Sequence, residues 1–166
     1  MNFKEIKAED LNFNPFKLIG SDWMLISAGD SQKFNTMTAS WGGVGVLWGR
    51  NVVTTYIRPQ RYTKEFVDNQ ELFSLSFFDG YKKELGLLGS VSGRDEDKIK
   101  KSGLTPIFID GVPAFDEAKI IIIAKNLYKE SIKPECFFDN EPDEKWYPEK
   151  DYHDMYIAEI QKVYVK

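Results

Sequence analysis

The segment "IRPQRYTKEF" (residues 57–66) concentrates side chains that could bind an anion. Arg58, Arg61 and Lys64 are cations and Thr63 supplies a hydroxyl, at a point where a predicted strand is followed by a predicted helix. The start of a helix adds unpaired backbone N–H groups and the positive end of the helix dipole. This combination suits a doubly charged phosphate. A helix start with solvated basic residues explains the same spacing equally well, so both interpretations stay open here.

A second segment, "NTMTASWG" (residues 35–42), has less bulk than a buried strand usually carries. Threonine, alanine and serine would let a flat, polar-edged ring lie close to the backbone N–H and C=O groups of a strand. Trp41 could cover one face of such a ring by stacking. The alternative is a half-exposed strand whose threonines face water.

Other chemistries find little support in the sequence. His153 is the only histidine, so one chain cannot build a multi-histidine metal site. Neither a GxSxG elbow nor a GxxxxGK[ST] phosphate loop occurs. The single cysteine, Cys136, excludes an internal disulfide, and its neighbours Phe137 and Phe138 favour a buried, inert thiol. We therefore expect no metal site and no nucleophilic cysteine.

Composition excludes further classes. The chain has 166 residues, 42% of them hydrophobic and 29% charged, which is typical of one globular domain over residues 1–166. Its net charge of −4 argues against general nucleic-acid binding, which needs a basic face. No apolar run approaches the length of a membrane span, and the charged start "MNFKEIKAED" lacks a secretory signal. We expect a cytoplasmic protein that binds neither membrane nor nucleic acid.

Alternating and β-branched runs predict a mainly β protein, a closed or partly closed barrel with short helical excursions. A long surface loop is expected over residues 133–152. The predicted helices cover 63–70, with Thr63 as N-cap and a Tyr62–Val67 staple, 81–89, and 94–103 with Gly103 as C-cap. The predicted strands cover residues 22–29, 33–41, 51–58, 71–78, 118–132 and 154–166.

Five segments together resemble the flavin reductase-like family of the FMN-binding split barrel, and within it the flavoredoxin-like subgroup. They are "NTMTASWGG", "IRPQRYTKEF", "LFSLSFF", "SGRDEDKIKKSGLT" and "DYHDMYIAEI", in this order along the chain. The resemblance runs from about Trp23 to Ile160. It implies a six-stranded antiparallel split β-barrel that binds FMN non-covalently near the subunit interface of a homodimer.

The same resemblance implies roles for individual residues. The glycine that relatives commonly carry at Ala158 is absent here, and so is the cysteine that they often carry at Ala124, which removes any thiol from electron transfer at that strand. His153 would lie near the flavin or the nicotinamide, and it is the one catalytic candidate. The implied cofactor-binding residues are Thr36, Met37, Thr38, Ala39, Ser40 and Trp41 along the ring and ribityl chain, Arg58, Arg61, Tyr62 and Thr63 at the phosphate, and Ser92, Gly93 and Lys98 near the flavin.

The implied activity is that of an NAD(P)H-dependent flavin reductase, with NADH or NADPH as the hydride donor. FMN carries the redox chemistry in such proteins, and no side chain needs to act as an acid or base. Electrons would then leave to free flavin, a monooxygenase or an iron–sulfur protein. Two alternatives stay open: a flavoredoxin-like electron carrier that exchanges electrons with protein partners, and a flavin-storage or sensing module without turnover.

Overall fold

A computed structural model describes residues 2–166 of the chain. All paired strands are antiparallel: eight belong to one continuous sheet, and two form a separate hairpin. Their bounds are β1 (Lys4–Ile6), β2 (Met24–Gly29), β3 (Phe34–Ala39), β4 (Gly42–Leu47), β5 (Arg50–Ile57), β6 (Leu72–Phe77), β7 (Pro106–Ile109), β8 (Val112–Phe115), β9 (Ile120–Ser131) and β10 (Asp154–Val165).

Helices are short and lie between the strands. The α-helices are α1 (Tyr62–Asn69), α2 (Lys82–Ser90), α3 (Lys98–Ser102) and α4 (Glu141–Trp146). Other helical turns span Ala8–Asp10, Phe16–Asp22 and Pro134–Cys136. Among residues 2–166, no helix combines the length and the apolar character that crossing a membrane requires.

The order of strands explains why the sheet curls. Neighbouring strands run β3-β2-β6-β9-β10-β5-β4, and β1 pairs with the second half of β10. The two end strands, β3 and β4, are joined by only Ser40 and Trp41. Three Cα–Cα steps reach about 11 Å at most, so the two edges of the sheet must come together. The result is a barrel that is split between β3 and β4, with the Ser40–Trp41 corner at the split.

Two apolar cores hold this barrel in place. Side chains such as Ile26, Phe73 and Ile122 fill its interior. A second core lies outside the sheet, where α2, α3 and the β7–β8 hairpin cover β2, β6 and β9. Strand β6 is therefore buried on both faces, and the hydroxyl of Ser74 on its outer face donates to the Pro113 carbonyl at 2.5 Å.

The predicted fold class is confirmed, and each of the six predicted strands is present. The number of strands was wrong, because β1, β4 and the β7–β8 hairpin were not expected. The glycines at the start of β4 hid that strand from a pattern of branched residues. They allow close pairing with β5, because a Cβ on Gly42 would lie 2.7 Å from the Thr54 carbonyl oxygen.

Helix details also differ from the prediction. Thr63 is not the N-cap of α1, because Arg61 occupies that position and Thr63 lies inside the helix. Gly103 does end α3, in the left-handed conformation at φ 75°. The segment 133–152 is more ordered than a plain loop, since it contains α4. Cys136 is exposed, so the prediction of a buried thiol was wrong.

Candidate functional site

A cleft follows the split of the barrel and consists of two adjoining cavities. The first, about 190 Å³, is bordered by β3, the start of α1 and the link between α2 and α3. The second, about 160 Å³, is bordered by the Ser40–Trp41 corner, the end of β5 and the start of β10. Met37, Arg58 and Arg61 line both cavities, so the two form one continuous site.

The larger cavity contains two cations that have no carboxylate partner in the part of the chain that the structure describes. The Arg61 guanidinium donates to the Gly89 carbonyl at 2.5 Å, and the Lys98 ammonium donates to the Leu88 carbonyl at 2.8 Å. Both carbonyls belong to the last residues of α2. Within residues 2–166, neither cation forms an ion pair. We will call this space the cation cavity.

Burial makes these charges unfavourable without a counter-ion. Lys98 is only 3% exposed, and loss of solvation, together with the nearby Arg61 charge, lowers its pKa to about 8. Loss of solvation and repulsion from Arg58 also lower the pKa of Arg61. Such charges are usually retained where an anion binds them.

Neutral donors complete the cation cavity. Thr63 and Ser92 both line it. The Asn35 side chain donates from Nδ2 to the Thr63 hydroxyl at 2.9 Å, which orients that hydroxyl. Among residues 2–166, no side chain caps α1, so the N–H groups of Tyr62 and Thr63 at its start keep their capacity to bind an anion, whereas that of Lys64 donates to the Arg61 carbonyl.

The smaller cavity has an aromatic wall, so we will call it the aromatic cavity. The Trp41 ring lies 5.1 Å from Trp146 in an edge-to-face arrangement and 4.9 Å from His153. Tyr56 adds a further ring to the lining. Walls of this kind favour a flat, apolar ring.

His153 is a neutral member of this wall. The residue is 8% exposed, and burial, followed by the Arg58 charge, lowers its pKa to about 4. Its Nδ1 and the Tyr147 hydroxyl are 2.9 Å apart. Burial raises the pKa of Tyr147, so the phenol keeps its proton. When that proton is donated to Nδ1, the imidazole carries its own proton on Nε2.

Arg58 differs from Arg61 and Lys98 because its charge is already paired. Its guanidinium contacts the Asp151 carboxylate and donates to the Trp146 carbonyl at 2.7 Å. Hydrogen bonds from Gln60 and from Arg58 lower the pKa of Asp151. Lys64, the third cation of the segment, is paired with Asp154 at the start of β10 and with a carboxylate of its own helix, α1.

The structure brings most of the sequence-predicted site residues together. Thr36 is outside the cleft, because its side chain lies on the outer face of the sheet, where its hydroxyl donates to the Ile26 carbonyl at 3.1 Å and lies 2.8 Å from the Ser27 hydroxyl. Gly93 lies behind the lining, where a Cβ would be 2.3 Å from Asn35 Oδ1. The predicted residues that line the cleft are Met37, Thr38, Ala39, Ser40, Trp41, Arg58, Arg61, Tyr62, Thr63, Ser92, Lys98 and His153.

Sequence reasoning missed several residues of the lining. Tyr56 had a usable signal, because it is two residues before Arg58 on a strand and so shares its face. Trp146 had none, since nothing in the letters indicates that the segment 133–152 folds back onto the split. The other missed residues are Asn35, Gln60, Ser90 and Val91.

Several solved structures are similar to this chain in fold. The FMN-binding domain of a flavin reductases-like enzyme from Shewanella baltica matches with a TM-score of 0.71 and 16% identity, over 99% of this chain and 77% of that one. Flavoredoxin of Desulfovibrio vulgaris matches with a TM-score of 0.67 and 23% identity, over 87% and 69% of the two chains. An NADH:FAD oxidoreductase of Streptomyces globisporus matches with a TM-score of 0.66 and 11% identity, over 87% and 76%.

No family model and no curated protein matches the sequence. The similarity to known proteins therefore lies in the fold and not in the sequence. The chain has the split-barrel fold of the FMN-binding flavin reductase-like proteins and flavoredoxins, as its sequence motifs predicted.

Proposed function

We propose that this protein binds FMN in the cleft, with the phosphate in the cation cavity and the ring beside the Met37–Trp41 segment. The observation that carries the proposal is the pair of cations, Arg61 and Lys98, that lack a carboxylate partner. A buried charge without a counter-ion is expensive to maintain, and a dianionic phosphate would compensate both. The donor set fits such a group, since two cations, two hydroxyls and a helix N-terminus converge there.

We further propose that the bound flavin is used for NAD(P)H-dependent flavin reduction. FMN, when bound, supplies the hydride-accepting and electron-donating chemistry of such a reaction. The chain's own residues would bind and orient the reactants. Trp41 and Trp146 would exclude water from a ring in the aromatic cavity, and neutral His153 could offer a hydrogen bond without adding charge.

Titration of the apoprotein with FMN, FAD and riboflavin tests the cofactor assignment. We expect a yellow protein that prefers FMN, because riboflavin has no phosphate to pair with the cations. Equal affinity for FMN and riboflavin would contradict the assignment of the cation cavity.

The alternative, a flavoredoxin-like electron carrier, draws support from the likeness to the flavoredoxins of Desulfovibrio vulgaris and Methanosarcina acetivorans, which are 23% and 20% identical to this chain. Anaerobic mixing of the FMN-loaded protein with NADH and with NADPH separates the two roles. Rapid bleaching by either nucleotide supports the reductase. Bleaching by a reduced ferredoxin-type donor alone supports the carrier and a redox protein partner.

We also propose a homodimer whose interface includes the edge strand β4. Val46 is 72% exposed and Trp48, in the turn that follows, is 58% exposed. Exposed apolar edge strands are usually covered in native proteins.

Light scattering with Val46→Lys tests this interface. We expect the parent to have twice the monomer mass and the variant to shift towards 19.2 kDa. Phe138→Ser is the matched control, because Phe138 is also an exposed apolar residue but lies in the segment 133–152. A parent protein that is monomeric at micromolar concentration would refute the proposal. The cytoplasmic location and the single domain over residues 1–166 stay predictions.

A further inference from the structure

The segment from α4 to the start of β10 forms one side of the aromatic cavity. We define residues 141–153 as the strap. Its Trp146 contacts Trp41, and its Tyr147 ring packs 4.8 Å from Tyr152 and 5.6 Å from His153. Within the strap, the Tyr152 hydroxyl donates to Asp143 at 2.7 Å. The strap is therefore a packed unit, although none of its residues belongs to a strand of the sheet.

Arg58 is the main polar link from the barrel to this unit. It contacts the Asp151 carboxylate, the Trp146 carbonyl and, at 5.4 Å, the face of the Tyr147 ring. All three partners belong to the strap. Gln60 adds a hydrogen bond to Asp151 at 2.8 Å from the same side.

The charges around Arg58 favour this role over phosphate binding. The side chains of Arg58 and Asp151 are 24% and 20% exposed, so the pair is partly shielded from solvent. A phosphate that took Arg58 would leave the Asp151 carboxylate without its cation, which is unfavourable in a shielded site. Arg61 and Lys98 can accept an anion without any such loss.

We propose that Arg58 is a positioning residue that fastens the strap to the barrel and so holds Trp146 and His153 in the wall of the aromatic cavity. The effect on binding of a ring rests on the proposed flavin site, whereas the attachment of the strap to the barrel does not. Arg58 then affects binding of any flat ring at that wall, flavin and riboflavin alike. It does not set the preference for a phosphate.

Hydrogen exchange of the apoprotein, followed by mass spectrometry, tests the fastening without any flavin. The amides of Tyr147 and Lys150 donate inside the strap, to the Asp143 and Tyr147 carbonyls, and report its opening. In Arg58→Met we expect their exchange to accelerate about 10-fold or more, because the charged links to the strap are lost. Asp151→Asn, which removes the charge of the partner and keeps an acceptor, should act in the same direction.

Arg94→Met is the matched control. Arg94 also pairs with a carboxylate, that of Glu65, and lies 4.5 Å from the ring of Tyr62, but it contacts nothing in the strap. We expect unchanged exchange of the strap in this variant. If Arg58→Met does not fold, Asp151→Asn carries the test alone.

Flavin titrations of the same variants test the functional part. Arg58→Met should weaken FMN and riboflavin by similar factors and leave their affinity ratio within about 3-fold of the parent's. Unchanged exchange of the strap in Arg58→Met or, failing that, in Asp151→Asn overturns the proposal. A loss of affinity for FMN with unchanged affinity for riboflavin would overturn the proposal as well, and would indicate that Arg58 binds the phosphate. Failure of the parent to bind flavin would refute the proposed function but leave the exchange result valid.

Discussion

Replacing Lys98 by methionine should make the apoprotein more stable and its FMN complex weaker. The fall of the Lys98 pKa from 10.5 to about 8 corresponds to about 3 kcal/mol of unfavourable free energy for the ammonium ion in the folded apoprotein. Methionine removes that charge and has a similar helix propensity. It leaves the Leu88 carbonyl without its donor, a loss of about 1–2 kcal/mol. We therefore expect a net gain of about 1–2 kcal/mol in the free energy of unfolding.

The same substitution removes a charged donor from the proposed phosphate site. Loss of one charge-assisted contact should weaken FMN by about 2–4 kcal/mol, or roughly 30- to 1000-fold. Riboflavin affinity should change by less than about 3-fold, because riboflavin has no phosphate. A purely structural lysine would give the opposite pattern, with lower stability and an unchanged preference for FMN.

Urea denaturation of the apoprotein at pH 7 and titration with both flavins provide the two measurements. The control is Lys100→Met, on the same helix but exposed, for which we expect little change in either quantity. A second signature is pH dependence. Because the folded Lys98 loses its proton near pH 8 and the unfolded one near 10.5, the unfolded chain binds more protons in between, and apoprotein stability rises with pH across that window. This contribution should be missing from Lys98→Met. A variant whose apoprotein is destabilised and whose FMN-to-riboflavin ratio is unchanged would refute the reasoning.

The free energy of unfolding should fall as the pH drops from about 6.5 towards 4, because His153 takes up a proton in the unfolded chain but stays neutral in the folded protein. It is the only histidine, so His153→Gln should flatten the stability profile above pH 5, measured by urea denaturation; an unchanged slope would argue against a buried neutral imidazole. Gly93→Ala should destabilise the protein by about 1–3 kcal/mol, since its Cβ would displace the Asn35 amide, whereas Gly86→Ala, which meets nothing within 4 Å, should be neutral or slightly stabilising. Thermal melts compare the two glycine variants, and equal melting temperatures would contradict the close packing at Gly93.

Patterns in the sequence predicted the strands whose side chains alternate or are branched, and missed the strand built from glycines. The alternation in β6 identified the strand but not its environment, since its serine face is covered by the β7–β8 hairpin. Strand β4 forms a hairpin with the next strand, β5, which tolerates the close approach of Gly42 and Gly43. Local propensity is silent about such contacts.

The candidate site was accessible to sequence reasoning where its residues are contiguous. Segment 37–41 and the segment that contains Arg61 are each continuous in the sequence, so each motif could be recognised as a unit. Trp146 joins the wall through the folding of the strap, and Asn35 acts through Thr63, from which it is 28 positions distant. The exposed Cys136 shows the reverse error, because apolar neighbours in sequence do not guarantee burial.

Counter-ions separate the cations that the sequence presents as equivalent. Arg58 and Lys64 lie in the same basic segment as Arg61, and the sequence alone does not distinguish the roles of these three cations. The fold gives Arg58 the carboxylate of Asp151 and gives Lys64 two carboxylates, one on its own helix and Asp154 at 2.8 Å. Arg61 receives only a carbonyl, and so does Lys98, which reaches the same cavity from a distant element. Carbonyl dipoles at the end of α2 orient these two cations but cannot neutralise them. An anion at this point is therefore the partner that the fold itself does not provide, whereas Arg58 and Lys64 already have theirs.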